Sequence, residues 1–113
     1  MPAIVEPTPS AFAVSSAQIA ARAHAIVLEQ IEQGAAIFLA EPWRIFRFKG
    51  LILSADVPAT VDAIRKEAQA EADRVARGHW TADFNRAMAL RQLEKATHHP
   101  DFAAVYAAAF AEQ

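Results

Sequence analysis

Histidine and carboxylate side chains near residue 98 are the strongest candidates for site chemistry in this sequence. His98 and His99 are adjacent, Glu94 lies four residues before His98, and Asp101 follows closely. Imidazole and carboxylate groups at helical positions i and i+4 share a face and can bind one divalent cation together. Adjacent histidines before a proline are also typical of a helix C-terminus, where an imidazole interacts with the last carbonyl groups. Because no second ligand motif accompanies them, we predict no metal and no cofactor, and keep His98, His99 and Glu94 as weak candidates.

Other catalytic chemistries lack their characteristic residues. The chain has three glycines, which are isolated from one another, so the loops that cradle phosphates cannot be built. It contains no cysteine, which removes thiol nucleophiles and thiolate metal sites. No serine or threonine stands in a recognisable nucleophile motif. The sequence therefore offers no catalytic residue and favours a protein without enzymatic activity.

Basic and aromatic residues alternate in one short segment, residues 43–49. Arg44, Arg47 and Lys49 lie among Trp43 and two phenylalanines, a combination that can clamp phosphates and stack bases. The net charge of −2 argues against nucleic acid as a general partner, and cations on an edge strand also serve to prevent unwanted strand pairing. Binding of nucleic acid through these three cations is therefore the alternative hypothesis.

Length and composition predict a small globular chain. Of 113 residues, 54% are hydrophobic and 21% charged, which is typical of a folded domain. No basic segment leads into an apolar one at the N-terminus, and no apolar run is long enough to cross a bilayer, so we predict a cytoplasmic or intra-virion protein without a membrane partner.

The first predicted helix is long and begins at Ser15 or Ser16, either of which can cap it. Its apolar residues keep one helical register through Gly34 up to Glu41 and Pro42, where the proline stops the helix. We therefore predict a continuous helix in which Gly34 allows another element to approach closely. The alternative is that Gly34 ends the helix as a C-terminal cap.

The segment 43–55 is the one stretch with the composition of β-structure, since it is rich in aromatic and β-branched residues. With Lys49 and Gly50 as its turn it would form a half-buried hairpin, and a single strand bent at Gly50 is the alternative. Two further helices are predicted between Asp56 and Gly78 and from Thr81 to about Thr97, and a fourth from Pro100. The predicted fold class is α+β, predominantly α-helical, with about four helices and one hairpin between the first and second.

Several apolar surfaces exceed what a small domain readily covers, so we predict a protein-interaction or assembly component. We divide the chain into an extended N-terminal arm, residues 1–14, and one α-rich domain, residues 15–113. Partners are expected to be proteins, in a homo-oligomer or a larger complex, with the chain acting as a small subunit, adaptor or chaperone-like protein, of phage, mobile-element or bacterial origin. The predicted interface comprises one aromatic stripe of the last helix, apolar residues of the arm and one tryptophan: Phe102, Tyr106, Phe110, Ile4, Val5, Phe12 and Trp43.

Overall fold

The structure, a computed structural model, describes residues 15–113. Residues 1–14, including the predicted interface residues Ile4, Val5 and Phe12, lie outside the described part. Four α-helices and one 3₁₀ helix make up 76% of the described residues. They are α1 (Ser16–Ala40), the 3₁₀ helix (Pro42–Arg47), α2 (Val57–Ala76), α3 (Phe84–Thr97) and α4 (Phe102–Ala111).

Helix α1 confirms the prediction of one continuous helix through Gly34. It starts with a capping box, in which the Ser15 hydroxyl accepts from the Gln18 amide at 3.1 Å and the Gln18 side chain accepts from the Ser15 amide at 3.0 Å. This reciprocal pair satisfies two of the amide groups that a helix N-terminus leaves without intrahelical partners. Gly34 is buried within the helix, and a Cβ atom placed on it would overlap the side chain of Gln92 in α3. Gly34 therefore permits the close approach of α3.

This close approach gives a testable coupling between Gly34 and Gln92. Gln92 donates to the carbonyl of Gln30 at 3.2 Å, a contact that an alanine at position 34 would disturb. In a Gln92→Ala background, Gly34→Ala should stabilise the protein by about 1 kcal/mol, because alanine is the better helix former. In the wild-type background the steric conflict should cancel that gain or reverse it. Urea unfolding of the four proteins measures the coupling, and an equal effect in both backgrounds would contradict the close approach.

The predicted β-hairpin over residues 43–55 is wrong, and so is the α+β class: the structure forms no strand within residues 15–113. Pro42 instead begins the 3₁₀ helix, where a missing amide hydrogen costs nothing. Three residues per turn direct Ile45, which is fully buried, into the core. Aromatic and β-branched residues fit any half-buried surface, so their abundance reflected packing rather than a sheet.

Side chains replace the sheet ladder in the segment after the 3₁₀ helix. The Ser54 amide donates to the Thr60 hydroxyl at 3.1 Å, and the Ser54 carbonyl accepts from Tyr106 at 2.6 Å and from Thr60 at 3.2 Å. Leu51 and Leu53 still alternate toward the core, as in a strand. After a turn at Lys49 and Gly50, residues 51–54 thus form an irregular connection whose Ser54 is held by α2 and α4 rather than by a second strand.

The hydrophobic core occupies the end of the molecule where α1 finishes. It is built from apolar residues of α1, the 3₁₀ helix, α2, α3 and α4: Ala35, Phe38, Ile45, Ile64, Leu93, Ala96, Phe102 and Tyr106. Helix α3 touches each of the other three α-helices and buries Leu90 and Leu93 completely, so it is the central helix of the described residues. No helix formed by residues 15–113 combines the length and the apolar character that crossing a bilayer requires.

Candidate functional site

The first half of α1 is the most unusual surface of the molecule. Every residue from 15 to 30 is exposed, although Ile19, Ile26, Val27 and Leu28 are large and apolar. An exposed helix face normally carries charged and polar residues, and apolar residues mark the face that packs. This half of α1 therefore has the composition of a packed helix and the exposure of a solvated one.

Two exposed aromatic side chains lie at the start of α3 and in the turn before it. Trp80 is 88% exposed and Phe84 is 74% exposed. Phe84 and Val27 both line a cleft of about 420 Å³ between α1, α2 and α3. We call this region the apolar end and define it by six residues: Ile19, Ile26, Val27, Leu28, Trp80 and Phe84.

The cleft at the apolar end is lined mainly by apolar side chains. Ile31, Val75 and Met88 contribute to its walls, while His24 and Arg91 are the lining residues with ionisable groups. Such a surface offers dispersion contacts and removal of apolar area from water, and few directed hydrogen bonds. It fits an apolar side chain of another protein segment better than a polar small molecule.

A buried charge cluster holds the α2–α3 connection in place. Glu71 is 2% exposed, and its carboxylate accepts from Arg74 at 2.9 Å and from the Asp83 amide at 3.1 Å, and forms an ion pair with Arg86 at 3.2 Å. Glu67 accepts from both arginines, at 3.2 and 3.0 Å. The hydrogen bond from Arg74 lowers the pKa of Glu71 against the opposing effect of burial, and the Asp83 amide and the charge of Arg86 lower it further.

This cluster rigidifies the region that presents the aromatic residues. Asp83 is the N-cap of α3, and its side chain accepts from the Arg86 amide at 3.0 Å. Because the Asp83 amide donates to Glu71, this carboxylate is bound directly to the start of α3. Phe84 is the first residue of that helix. The exposed aromatic residues therefore project from an ordered turn, which reduces the entropy lost when a partner binds.

The predicted histidine candidates lie at the opposite end of α3. Helix α3 ends at Thr97, so His98 and His99 follow a helix C-terminus, which is the arrangement that adjacent histidines before a proline typically indicate. His99 Nδ1 accepts from the Asp101 amide at 3.1 Å and lies 3.8 Å from the Asp101 carboxylate. Within residues 15–113 no group of three or more His, Asp or Glu side chains is arranged to hold a metal ion.

The basic and aromatic residues near position 45 form a local cluster. The guanidinium groups of Arg44 and Arg47 each lie 4.8 Å from the ring centre of Trp43, which is 45% exposed. Both contacts are cation–π interactions. Arg44 also pairs with Glu41 at 2.6 Å, which partly neutralises the cluster, and Lys49 is exposed just before Gly50. Nucleic-acid binding through Arg44, Arg47 and Lys49 stays a prediction.

The aromatic stripe of α4 faces its own chain. Phe102 and Tyr106 are 2% and 0% exposed, and the Tyr106 ring stacks on those of Phe46 and Phe102, each at 5.8 Å between centres. Phe110 is partly buried against Phe46 and Tyr106. In this conformation the stripe offers little surface to a partner, and its role in an interface stays a prediction.

Sequence reasoning missed Trp80, Phe84 and Glu71 as site residues. Trp80 stands in a turn after Gly78, where no apolar periodicity accounts for a large aromatic ring, and that mismatch was the available signal. Glu71 carried no signal, because on a helix surrounded by charged residues a carboxylate is usually solvated.

Comparisons with protein families, with curated proteins and with solved structures give no match to this chain.

Proposed function

We propose that this chain is a non-enzymatic assembly component that binds protein through its apolar end. The observation that carries the proposal is that Val27, Leu28 and Phe84, all exposed, line one apolar cleft, and that Ile26 is exposed next to Val27 on the same helix. Single exposed apolar residues are common on monomers, whereas contiguous apolar patches mark interaction sites. A subunit, adaptor or chaperone-like component of a larger complex is the function that such a surface supports best.

The anatomy of the apolar end matches that of a protein interface. Tryptophan and phenylalanine are residue types enriched where partners meet, and the cleft lining combines apolar side chains with the polar groups of His24 and Arg91. The charge cluster around Glu71 holds the aromatic residues on a fixed backbone, as a preformed interface requires. The most buried ion pairs formed by residues 15–113 thus support the turn beside this surface.

Site-specific photo-cross-linking tests the proposal. A benzophenone amino acid at Phe84, or at Trp80 in a second variant, should give a covalent adduct of discrete mass in the protein's native cells, because a bound partner would cover these positions. Ile52 is the matched control, since it is 80% exposed and lines a different cleft, beside α2. Adducts that are no more abundant at Phe84 and Trp80 than at Ile52 would contradict the proposal. The adduct mass separates a second copy from a different protein.

A further inference from the structure

A stripe of isoleucines runs along α1 beside the face that packs on α3. Ile19, Ile26 and Ile37 are 58%, 51% and 47% exposed. Successive residues of an α-helix are about 100° apart, so the stripe lies next to the face of Val27, which turns toward α2 and α3. Small or polar residues stand between the three isoleucines on the same stripe. Together the six residues follow the alternating three- and four-residue spacing of a coiled-coil seam: Ile19, Ala23, Ile26, Gln30, Gln33 and Ile37.

We propose that a second copy of the chain binds this stripe, and that the two α1 helices pair antiparallel about a two-fold axis near residue 25. This inference rests on the proposed function. A helix face that pairs with itself must be self-complementary across that axis. In this register Ile26 of each copy packs over the partner's Ala23, and Ile19 over the partner's Gln30. A large residue thus faces a small one at the centre, as close helix packing requires.

Charge complementarity selects the antiparallel direction. Arg22 and Glu29 lie one heptad apart on the same flank of the stripe, the flank away from Val27. In the antiparallel pair this flank meets its own copy, so Arg22 faces the partner's Glu29 and the contact occurs twice. In a parallel pair the same flank would face positions 20 and 27, which are alanine and valine, and no ion pair would form. Arg22 makes no salt bridge with any of residues 15–113 of its own chain.

The available length is sufficient for a stable pair. In this register residues 16–33 of the two helices overlap over about 27 Å, roughly five turns. An α-helical seam of this length, joined to the apolar cleft beside it, gives each copy a continuous apolar surface of the kind that dimer interfaces bury. Pairing would also support the start of α1, which has no large buried residue before Ile31.

Sedimentation equilibrium of the full-length chain, its Ile26→Gln variant and the Ile52→Gln control tests the pairing. Wild type and control should dimerise with the same dissociation constant, and Ile26→Gln should weaken dimerisation about a hundredfold, because two isoleucine side chains lose their buried contacts. Far-UV circular dichroism should show the helix content of wild type diluted to its monomer, since Ile26 is exposed in the single chain. A monomeric wild type would overturn this inference, while a cross-linked adduct of other mass at Phe84 would leave the proposed function standing.

A charge exchange tests the antiparallel direction. Arg22→Glu should weaken dimerisation about tenfold, because it places two pairs of carboxylates across the axis, and adding Glu29→Arg should restore it. Without rescue in the double variant, the antiparallel register is overturned.

Because the chain contains no cysteine, a disulfide gives a second readout of direction. Arg22→Cys mixed with Glu29→Cys should oxidise to a heterodimer in preference to either homodimer. Preferential homodimers would overturn the antiparallel register as well.

Discussion

Tyr106→Ala should destabilise the protein by about 3 to 5 kcal/mol, a large share of the stability of a domain of this size. The ring is fully buried and stacks on Phe46 and Phe102, so its removal leaves a cavity at the junction of α4 with the 3₁₀ helix. The lost hydroxyl also deprives the Ser54 carbonyl of its shortest hydrogen bond, at 2.6 Å. Urea unfolding followed by circular dichroism measures the change.

Two further variants separate packing from hydrogen bonding at this position. Tyr106→Phe should cost about 1 kcal/mol, because Thr60 continues to donate to the Ser54 carbonyl. Ala104→Ser, on the exposed face of α4, should change stability by less than about 0.5 kcal/mol. If Tyr106→Ala kept wild-type stability but lost association with a partner, the aromatic stripe would belong to an interface and not to the core.

Glu71→Gln should destabilise the protein by about 2 kcal/mol at neutral pH. The carboxylate accepts four hydrogen bonds or ion pairs from Arg74, Arg86 and the Asp83 amide, and a carboxamide retains one accepting oxygen and loses the charge. The arginines would then face a neutral group. Chemical unfolding at pH 7 measures the loss, with Glu32→Gln as a control, because that side chain is 70% exposed and lies 4.0 Å from Lys95.

The same carboxylate predicts the direction of the pH dependence. The pKa of Glu71 is lowered in the folded protein, so its contribution to stability is complete above its ordinary value of 4.5 and is lost as pH falls through the folded-state value. The wild type should therefore lose stability below about pH 4.5, and the difference between wild type and Glu71→Gln should shrink there. A difference that stays constant from pH 7 to pH 3 would show that folding does not shift the pKa of Glu71.

Substitution of Glu71 should also affect the surface that we propose binds protein. Because this carboxylate holds the Asp83 amide at the start of α3, its substitution should loosen the turn that carries Trp80 and Phe84. Faster amide hydrogen exchange is then expected in the α2–α3 connection, without change in α4.

Local sequence signals located the four α-helices, although they missed the 3₁₀ helix and put the start of α3 at Thr81, where the structure has Asp83 as the N-cap. Ser15, Asp56 and Asp83 each lie at a helix start and accept hydrogen bonds from the first turn, and Gly78 adopts a positive φ of 65° just after α2. These signals act within one turn of the chain, so they survive in any tertiary context. The continuous α1 was predictable for a similar reason, since apolar periodicity on both sides of Gly34 keeps one register.

The sequence did not determine which surface packs against the apolar face of each helix. The period of the apolar residues in α4 indicated a buried stripe, and only the fold decided that Tyr106 packs on its own chain while Ile19 and Ile26 of α1 stay exposed. The hairpin prediction failed for the same reason: residues 43–55 have the composition of a half-buried segment, but the first part forms the 3₁₀ helix, and the second part is a connection held by contacts with Tyr106 and Thr60. The burial of Glu71 likewise depends on Arg86, fifteen residues further along the chain, in another helix. Helix ends follow from interactions between neighbours in sequence, whereas the partner of each face depends on contacts between residues far apart in the chain, which only the tertiary structure reveals.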